Sequence, residues 1–199
     1  RARVVGITGS AGKTSTKDIL AAICAPRRIT VAAEASFNNE LGVPLTLCRH
    51  ERDTEVCILE LAMRGFGQIA SLCEIARPEI GVVTNIGPAH LEMVGSIEGV
   101  IRAKSELIDA LPAGGVAIVP EDMPVDRDDI EVVRFAPPDV VVEGERTLVR
   151  HGGREVSFSF SAAHQALNAT AALEAAHALG IDVEGEVDVS FSRWRGDEA

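Results

Sequence analysis

The stretch VVGITGSAGKTSTKDIL, residues 4–20, reads as a strand, a tight loop and a helix in immediate succession, and its glycines and Gly-Lys-Thr constrain what that loop can hold. Val4, Val5 and Ile7 form a β-prone apolar run, and a helix-period pattern runs from Asp18, Ile19 and Leu20 through Ala21, Ala22 and Ile23. Between them, Gly9 and Gly12 remove the side chains that would stop backbone N–H groups from turning inward, and the helix N-terminus adds partial positive charge. A loop built from Gly9, Ser10, Ala11, Gly12, Lys13, Thr14 and Ser15 is therefore a phosphate cradle. Lys13 brings a full charge to the outer phosphates, and the Thr14 hydroxyl can ligate Mg²⁺. The pattern G-x-x-x-x-G-K-[ST] would place its first glycine at Ile7, so the match is to the shorter T-G-x-x-G-K-T. A glycine-rich turn with an incidental lysine is the alternative; the flanking strand and helix favour the nucleotide site.

Apolar runs then alternate with helical patterns. RITVAA (28–33), EVCILEL (55–61), EIGVVTNIG (79–87) and GVAIVP (115–120) read as strands, with helices at about 14–24, 43–49, 66–76 and 97–111. This alternation predicts an α/β fold, a P-loop-type, mostly parallel sheet with helices on both faces, whose sites lie at the carboxyl ends of its strands. After Pro120 the texture changes. VVRFA and DVVVEGERTLVRHGGREVSFSF, with turns at Glu143-Gly144 and Gly152-Gly153, predict a small antiparallel β patch in a β-rich subregion of about 120–161. A last helix over 162–180 closes at Gly180.

With 199 residues, 46% of them hydrophobic, the chain can bury one sizeable core. A formal charge of −11 argues against a nucleic-acid partner, because a phosphate backbone needs a basic surface. Cys24, Cys48, Cys57 and Cys73 lack C-x-x-C spacing, lie in apolar segments and are expected as reduced core residues. No apolar run is long enough to span a bilayer and no basic-then-apolar leader is seen, so the expectation is a cytoplasmic protein without a membrane partner.

Polar groups at the strand ends are candidates for chemistry. Glu60 sits in the apolar run CILELAMRG, where a bare carboxylate is costly; it is expected to serve Mg²⁺ opposite Thr14, or else to pair with Arg64. TNIGPAHLE places Asn85 and His90 in a turn at the mouth of the sheet, and His90 is as readily structural as functional. NNELGVP (38–44) reads as a loop before a helix beginning at Pro44, and Lys104 reads as solvated surface on its helix.

TGSAGKTSTK, NNELGVPLTL, LELAMRG.GQIA, TNIGPAHLE and RAKSEL, in that order, resemble the ATP-binding central domain of the Mur ligases, densely to about residue 119 and loosely beyond. The Asn-Asn-Glu-Leu-Gly-Val-Pro run most resembles the branch that adds D-alanyl-D-alanine to UDP-MurNAc-tripeptide through an acyl phosphate in peptidoglycan precursor synthesis. The resemblance implies ATP and two Mg²⁺ ions, with Lys13 on the β/γ-phosphates, Thr14 and Glu60 on one metal, and His90 on the second. It implies that Lys104 is a site of carbamylation, an anionic metal-bridging group, which replaces the surface reading. Asn39, with Asn38 beside it, would lie near the γ-phosphate, and Asn168, four residues after His164, would contact adenine. Ala62 stands where the family usually has Gly, and Ser15 where Thr is common.

It further implies that residues 1–199 are a central domain lacking the UDP-binding and carboxy-terminal ligase domains, inactive alone, from a protein that is monomeric at full length. Folylpolyglutamate and cyanophycin synthetases share that central fold, and a non-catalytic P-loop module would share the Gly-Lys-Thr loop. Joint placement of Glu60, His90 and Lys104 distinguishes the ligase from the module.

Overall fold

The computed structural model describes residues 1–35, 37–89 and 91–192, so His90 lies outside the described residues. Among the described residues ten strands and six helices follow one another as β1 (Arg3–Thr8), α1 (Lys13–Cys24), β2 (Thr30–Ala32), α2 (Gly42–Leu47), β3 (Val56–Glu60), α3 (Gln68–Ala76), β4 (Ile80–Val83), α4 (Leu91–Val94), α5 (Ile97–Asp109), β5 (Val116–Pro120), β6 (Glu131–Phe135), β7 (Asp139–Glu143), β8 (Arg146–His151), β9 (Arg154–Phe158), α6 (Gln165–Ala178) and β10 (Gly185–Val187).

Strands β1 to β6 form one parallel sheet in the order β2-β3-β1-β4-β5-β6. From β1 the chain crosses to the edge at β2, steps back to lay β3 between β2 and β1, and then crosses over to add β4, β5 and β6 on the other side. That reversal opens a crevice at the carboxyl ends of β1, β3 and β4, where ligands of open parallel sheets bind. It gathers the Gly-Lys-Thr loop, Glu60 and Thr84 at one edge.

Both faces of the sheet are covered, which is why its central strands read as unbroken apolar runs. Val5, Ile7, Ile58 and Val82 face a core shared with α1, α6 and the small sheet, while Val4, Cys57, Leu59 and Val83 face a second core under α3 and α5. Helix α6 turns Ala169, Ala172, Ala175 and Ala176 inward, and these small side chains let it lie close on α1. Leu107 of α5 fills a slot over Gly6 and Gly81, where an added Cβ would meet it at 3.1 Å in each case. Helix α5 starts on Ser96, whose hydroxyl accepts the Gly99 N–H at 3.2 Å.

Several expectations need correction. VVRF does not join the antiparallel patch: β6 pairs in parallel with β5 and extends the main sheet. The small sheet runs β10-β9-β8-β7; β7, β8 and β9 are antiparallel, but β10, beyond the expected subregion, adds in parallel, so the sheet is mixed. Its first turn is Gly144-Glu145, one residue later than expected, with Gly144 at φ 61°; at the second, Gly152 and Gly153 have φ 58° and 76°, the sign a two-residue hairpin turn asks of both. The run at 79–87 is extended only to Val83, and a short helix, α4, lies in the segment read as a turn. Helix α2 starts at Gly42, with Pro44 third. Cys24, Cys57 and Cys73 are buried, each thiol pushed up to about 12 chiefly by burial, but Cys48 is exposed on the outer side of the α2 terminus. Among the described residues no helix is long and apolar enough to cross a membrane.

Candidate functional site

The loop between β1 and α1 is clamped from the side by the end of β4. Thr84 Oγ1 donates to the Ala11 carbonyl at 2.5 Å, Asn85 Oδ1 accepts the Ala11 N–H at 2.8 Å, and the Ser10 hydroxyl and the Gly87 backbone exchange hydrogen bonds at 3.0 Å. Two of its residues have no space for a side chain. Gly9 has φ 150°, and an added Cβ would lie 1.9 Å from Thr84 Oγ1; Gly12 has φ 80°, and its Cβ would lie 2.2 Å from Asn168 Oδ1. Gly12 is also the cap of α1, so the helix N-terminus opens directly on the loop.

Lys13 folds back on the loop, its Nζ donating to the Gly9 carbonyl at 2.9 Å. Burial holds its ammonium below the usual lysine range, and the Glu60 carboxylate pulls the other way. The next residue, Thr14, gives its hydroxyl to Glu60 Oε2 at 2.8 Å, and Asn38 Nδ2 donates to Oε1 at 2.8 Å. Glu60 is 1% exposed and has these two neutral donors in place of the Arg64 partner weighed above. Asn39 Oδ1 accepts the N–H groups of Leu41 and Gly42 at 3.2 and 2.9 Å, which starts α2.

Ser10, Ala11, Gly12, Lys13, Thr14, Ser15, Asn39 and Glu60 all line one open cavity of about 1080 Å³ at this edge, with Gly9 beneath it. Asn168, on the first turn of α6, borders the loop at Gly12, and its amide donates to Gln165, itself in the lining, at 2.7 Å. Lys104 stands outside that lining, 2% exposed on the inner face of α5. Its pKa is lowered to about 8, first by burial and then by the charge of Lys13. The surface reading of Lys104 is therefore wrong. Val100, Lys104, Leu107 and Ile108 share one helical face, and that spacing was the available signal.

The donor set can be tested against a divalent cation. Among the described residues no three of His, Cys, Asp and Glu converge as metal ligands. Thr14 and Glu60 supply hard oxygen atoms next to a phosphate cradle, which fits Mg²⁺, an ion that takes one or two carboxylates and completes its shell with phosphate and water. They do not fit a structural zinc site, which needs four nitrogen or sulfur ligands. Reasoning from sequence missed Thr84 as the clamp on the loop; it opens the TNIGPAHLE run, but nothing in that run says that its hydroxyl reaches Ala11.

The chain matches the Mur ligase middle domain over residues 7–176. It is 42% identical over 199 residues to the UDP-N-acetylmuramoyl-tripeptide--D-alanyl-D-alanine ligase of Mycobacterium tuberculosis, covering 91% of this chain and 39% of that relative. Among solved structures it resembles MurF from Acinetobacter baumannii, at a TM-score of 0.81 and 30% identity over 92% of this chain and 44% of that one. It also resembles the MurF ligase of Thermotoga maritima in complex with ADP, at 0.81 and 29% over 92% of this chain and 47% of that one. This chain thus spans less than half the length of these relatives. On the match over most of its residues, the chain belongs to the Mur ligase family.

Proposed function

We propose that the chain is the nucleotide-binding part of an ATP-dependent ligase that joins D-alanyl-D-alanine to UDP-N-acetylmuramoyl-tripeptide, and that its cavity takes Mg²⁺-ATP. The observation that carries the reading is the Thr14 hydroxyl on the buried Glu60 carboxylate at 2.8 Å, directly after a loop whose glycines admit no side chain. The ligase names of the relatives at 42% identity and the ADP held by the Thermotoga maritima ligase favour the same reading.

In this account the loop N–H groups and the α1 terminus bind the phosphates. Lys13 leaves the Gly9 carbonyl for the β/γ-phosphates, and its depressed pKa reflects the desolvation that ligand charge would offset. Thr14 and Glu60 would hold Mg²⁺, with Asn38 fixing the carboxylate, and His90 would serve a second ion. Bound there, the metal supplies the charge neutralisation that lets an anionic carboxylate approach the γ-phosphate. Asn39, in the cavity lining, would serve the γ-phosphate, and Asn168, which touches the loop at Gly12, would reach the adenine.

Lys104 would be carbamylated. At a pKa of about 8, roughly a tenth of it is the neutral amine at pH 7. That amine's lone pair forms an N–C bond to CO₂ as a C=O π pair moves onto oxygen; counting the proton lost by the ammonium and the one then lost from nitrogen, two protons leave to solvent, and a buried cation becomes an anion beside Lys13.

The test is phosphate release by the full-length protein, which should require ATP, the UDP-linked tripeptide and D-alanyl-D-alanine together and vanish in Lys13→Ala. Release that ignores D-alanyl-D-alanine would overturn the substrate assignment.

A further inference from the structure

Lys17 is 1% exposed, on the first turns of α1, and no role above uses it. Its ammonium has three donors. Two of them have hydrogen-bond partners, the Ala35 carbonyl at 2.8 Å and Ser192 Oγ at 3.2 Å, and the charge pairs with Asp18 Oδ1 at 3.1 Å. Asp18 in turn accepts the Ser192 N–H at 2.8 Å on Oδ2 and its hydroxyl at 3.0 Å on Oδ1. A charge this deeply buried is tolerated only when it is paired and hydrogen-bonded, as it is here by Asp18, Ala35 and Ser192.

The three partners belong to three separate pieces of chain. Ala35 lies in the loop leading to Asn38 and Asn39 and has φ 45°, a left-handed conformation that costs a residue with a Cβ and that surrounding contacts must hold. Ser192 lies in the stretch after β10, and with Asp18 it lines the nucleotide cavity. Three residues beyond Ala35, the Asn38 amide reaches Glu60, while its carbonyl accepts the Ala62 N–H at 2.9 Å.

We propose that Lys17 is a positioning residue: through the strained Ala35 carbonyl it holds the Asn38–Asn39 loop over Glu60, and through Asp18 and Ser192 it ties that loop to the segment at 188–192. Movement of either piece is then felt by the other at the edge of the cavity. The functional meaning of this tie rests on the nucleotide reading, but the tie itself can be tested without a ligand.

The test is amide hydrogen exchange of the ligand-free chain, comparing two neighbours. The Ala62 N–H bonds the loop at Asn38, whereas the Leu61 N–H bonds the sheet at Ile7, at 2.8 Å. Lys17→Met keeps the aliphatic stem and removes both hydrogen bonds and the ion pair. It should speed exchange at Ala62 by about tenfold or more, the loss expected for a charged hydrogen bond, and leave Leu61 unchanged. Where that single variant unfolds because Asp18 is stranded, Lys17→Met with Asp18→Asn removes both charges and should show the same selective loosening. Loosening at Leu61 and Ala62 alike would reduce Lys17 to a general packing role, and no change at Ala62 would overturn the tie. Nucleotide titration of the same variants should show weakened binding; a wild-type chain that binds no nucleotide would sink the functional reading while the exchange result still decides the tie.

Discussion

Thr84 and Gly9 occupy each other's space: the Thr84 hydroxyl sits where a Cβ on Gly9 would come within 1.9 Å, and the same hydroxyl bonds the Ala11 carbonyl at 2.5 Å. The loop keeps its shape because a side chain from β4's end replaces the one that Gly9 lacks. Gly9→Ala should therefore weaken nucleotide binding by at least about tenfold, since loop or clamp must move. Thr84→Val keeps the shape and removes the donor; it should weaken binding several-fold through a looser loop. Calorimetric titration of both variants checks this, and unaltered affinity in Gly9→Ala would contradict the geometry.

The Lys104 ammonium is buried at a cost, and the cost has a sign in pH. Its folded pKa, about 8, lies below the 10.5 of the unfolded chain, so the unfolded state binds more protons between these values and stability rises with pH across that window. The penalty is fully present below pH 8. Lys104→Met should accordingly stabilise the unmodified chain near neutral pH by about 2–3 kcal/mol. The three buried thiols act oppositely above pH 9, so the difference between wild type and variant, followed by urea melts from pH 7 to 10, isolates the lysine. A difference that does not shrink toward pH 10 would contradict this.

Leu107 holds α5 against the sheet one helical turn from Lys104, in the slot over Gly6 and Gly81. Leu107→Ala should cost about 3 kcal/mol, the usual loss when a fully buried leucine leaves a cavity, and the added freedom should raise the Lys104 pKa toward its solution value. Urea melts give the first quantity, and NMR titration of labelled lysine gives the second.

Much of this architecture was legible in the chain. The strand-loop-helix at its start and the apolar runs after it fixed a parallel sheet, because strands covered on both faces must be apolar throughout. β6 was misplaced for a physical reason: EVVRF sits at the sheet's edge and is only partly covered, so it carries two charged residues and lacks the unbroken apolar run that marks the central parallel strands. β10 was missed because a three-residue strand has no period to read. Within the site, Glu60 was visible as a charge in an apolar run. Lys104 misled because a lysine on an amphipathic helix is normally at the surface, although its spacing from Val100 and Ile108 put it on the inner face. Thr84 and Lys17 stand inside quoted runs, but their roles were not legible, since they come from partners 73 and 18 residues away.

The central claim is that Thr14 and Glu60 together make a Mg²⁺-dependent nucleotide site. It is tested most directly by calorimetric titration of the chain with a non-hydrolysable ATP analogue, with and without Mg²⁺, in wild type and Glu60→Gln. Gln keeps the size and one acceptor but removes the charge, so the account predicts that Mg²⁺ tightens binding in wild type and has about tenfold less effect in the variant, with melting temperature held or raised. Equal Mg²⁺ dependence in both proteins would contradict it.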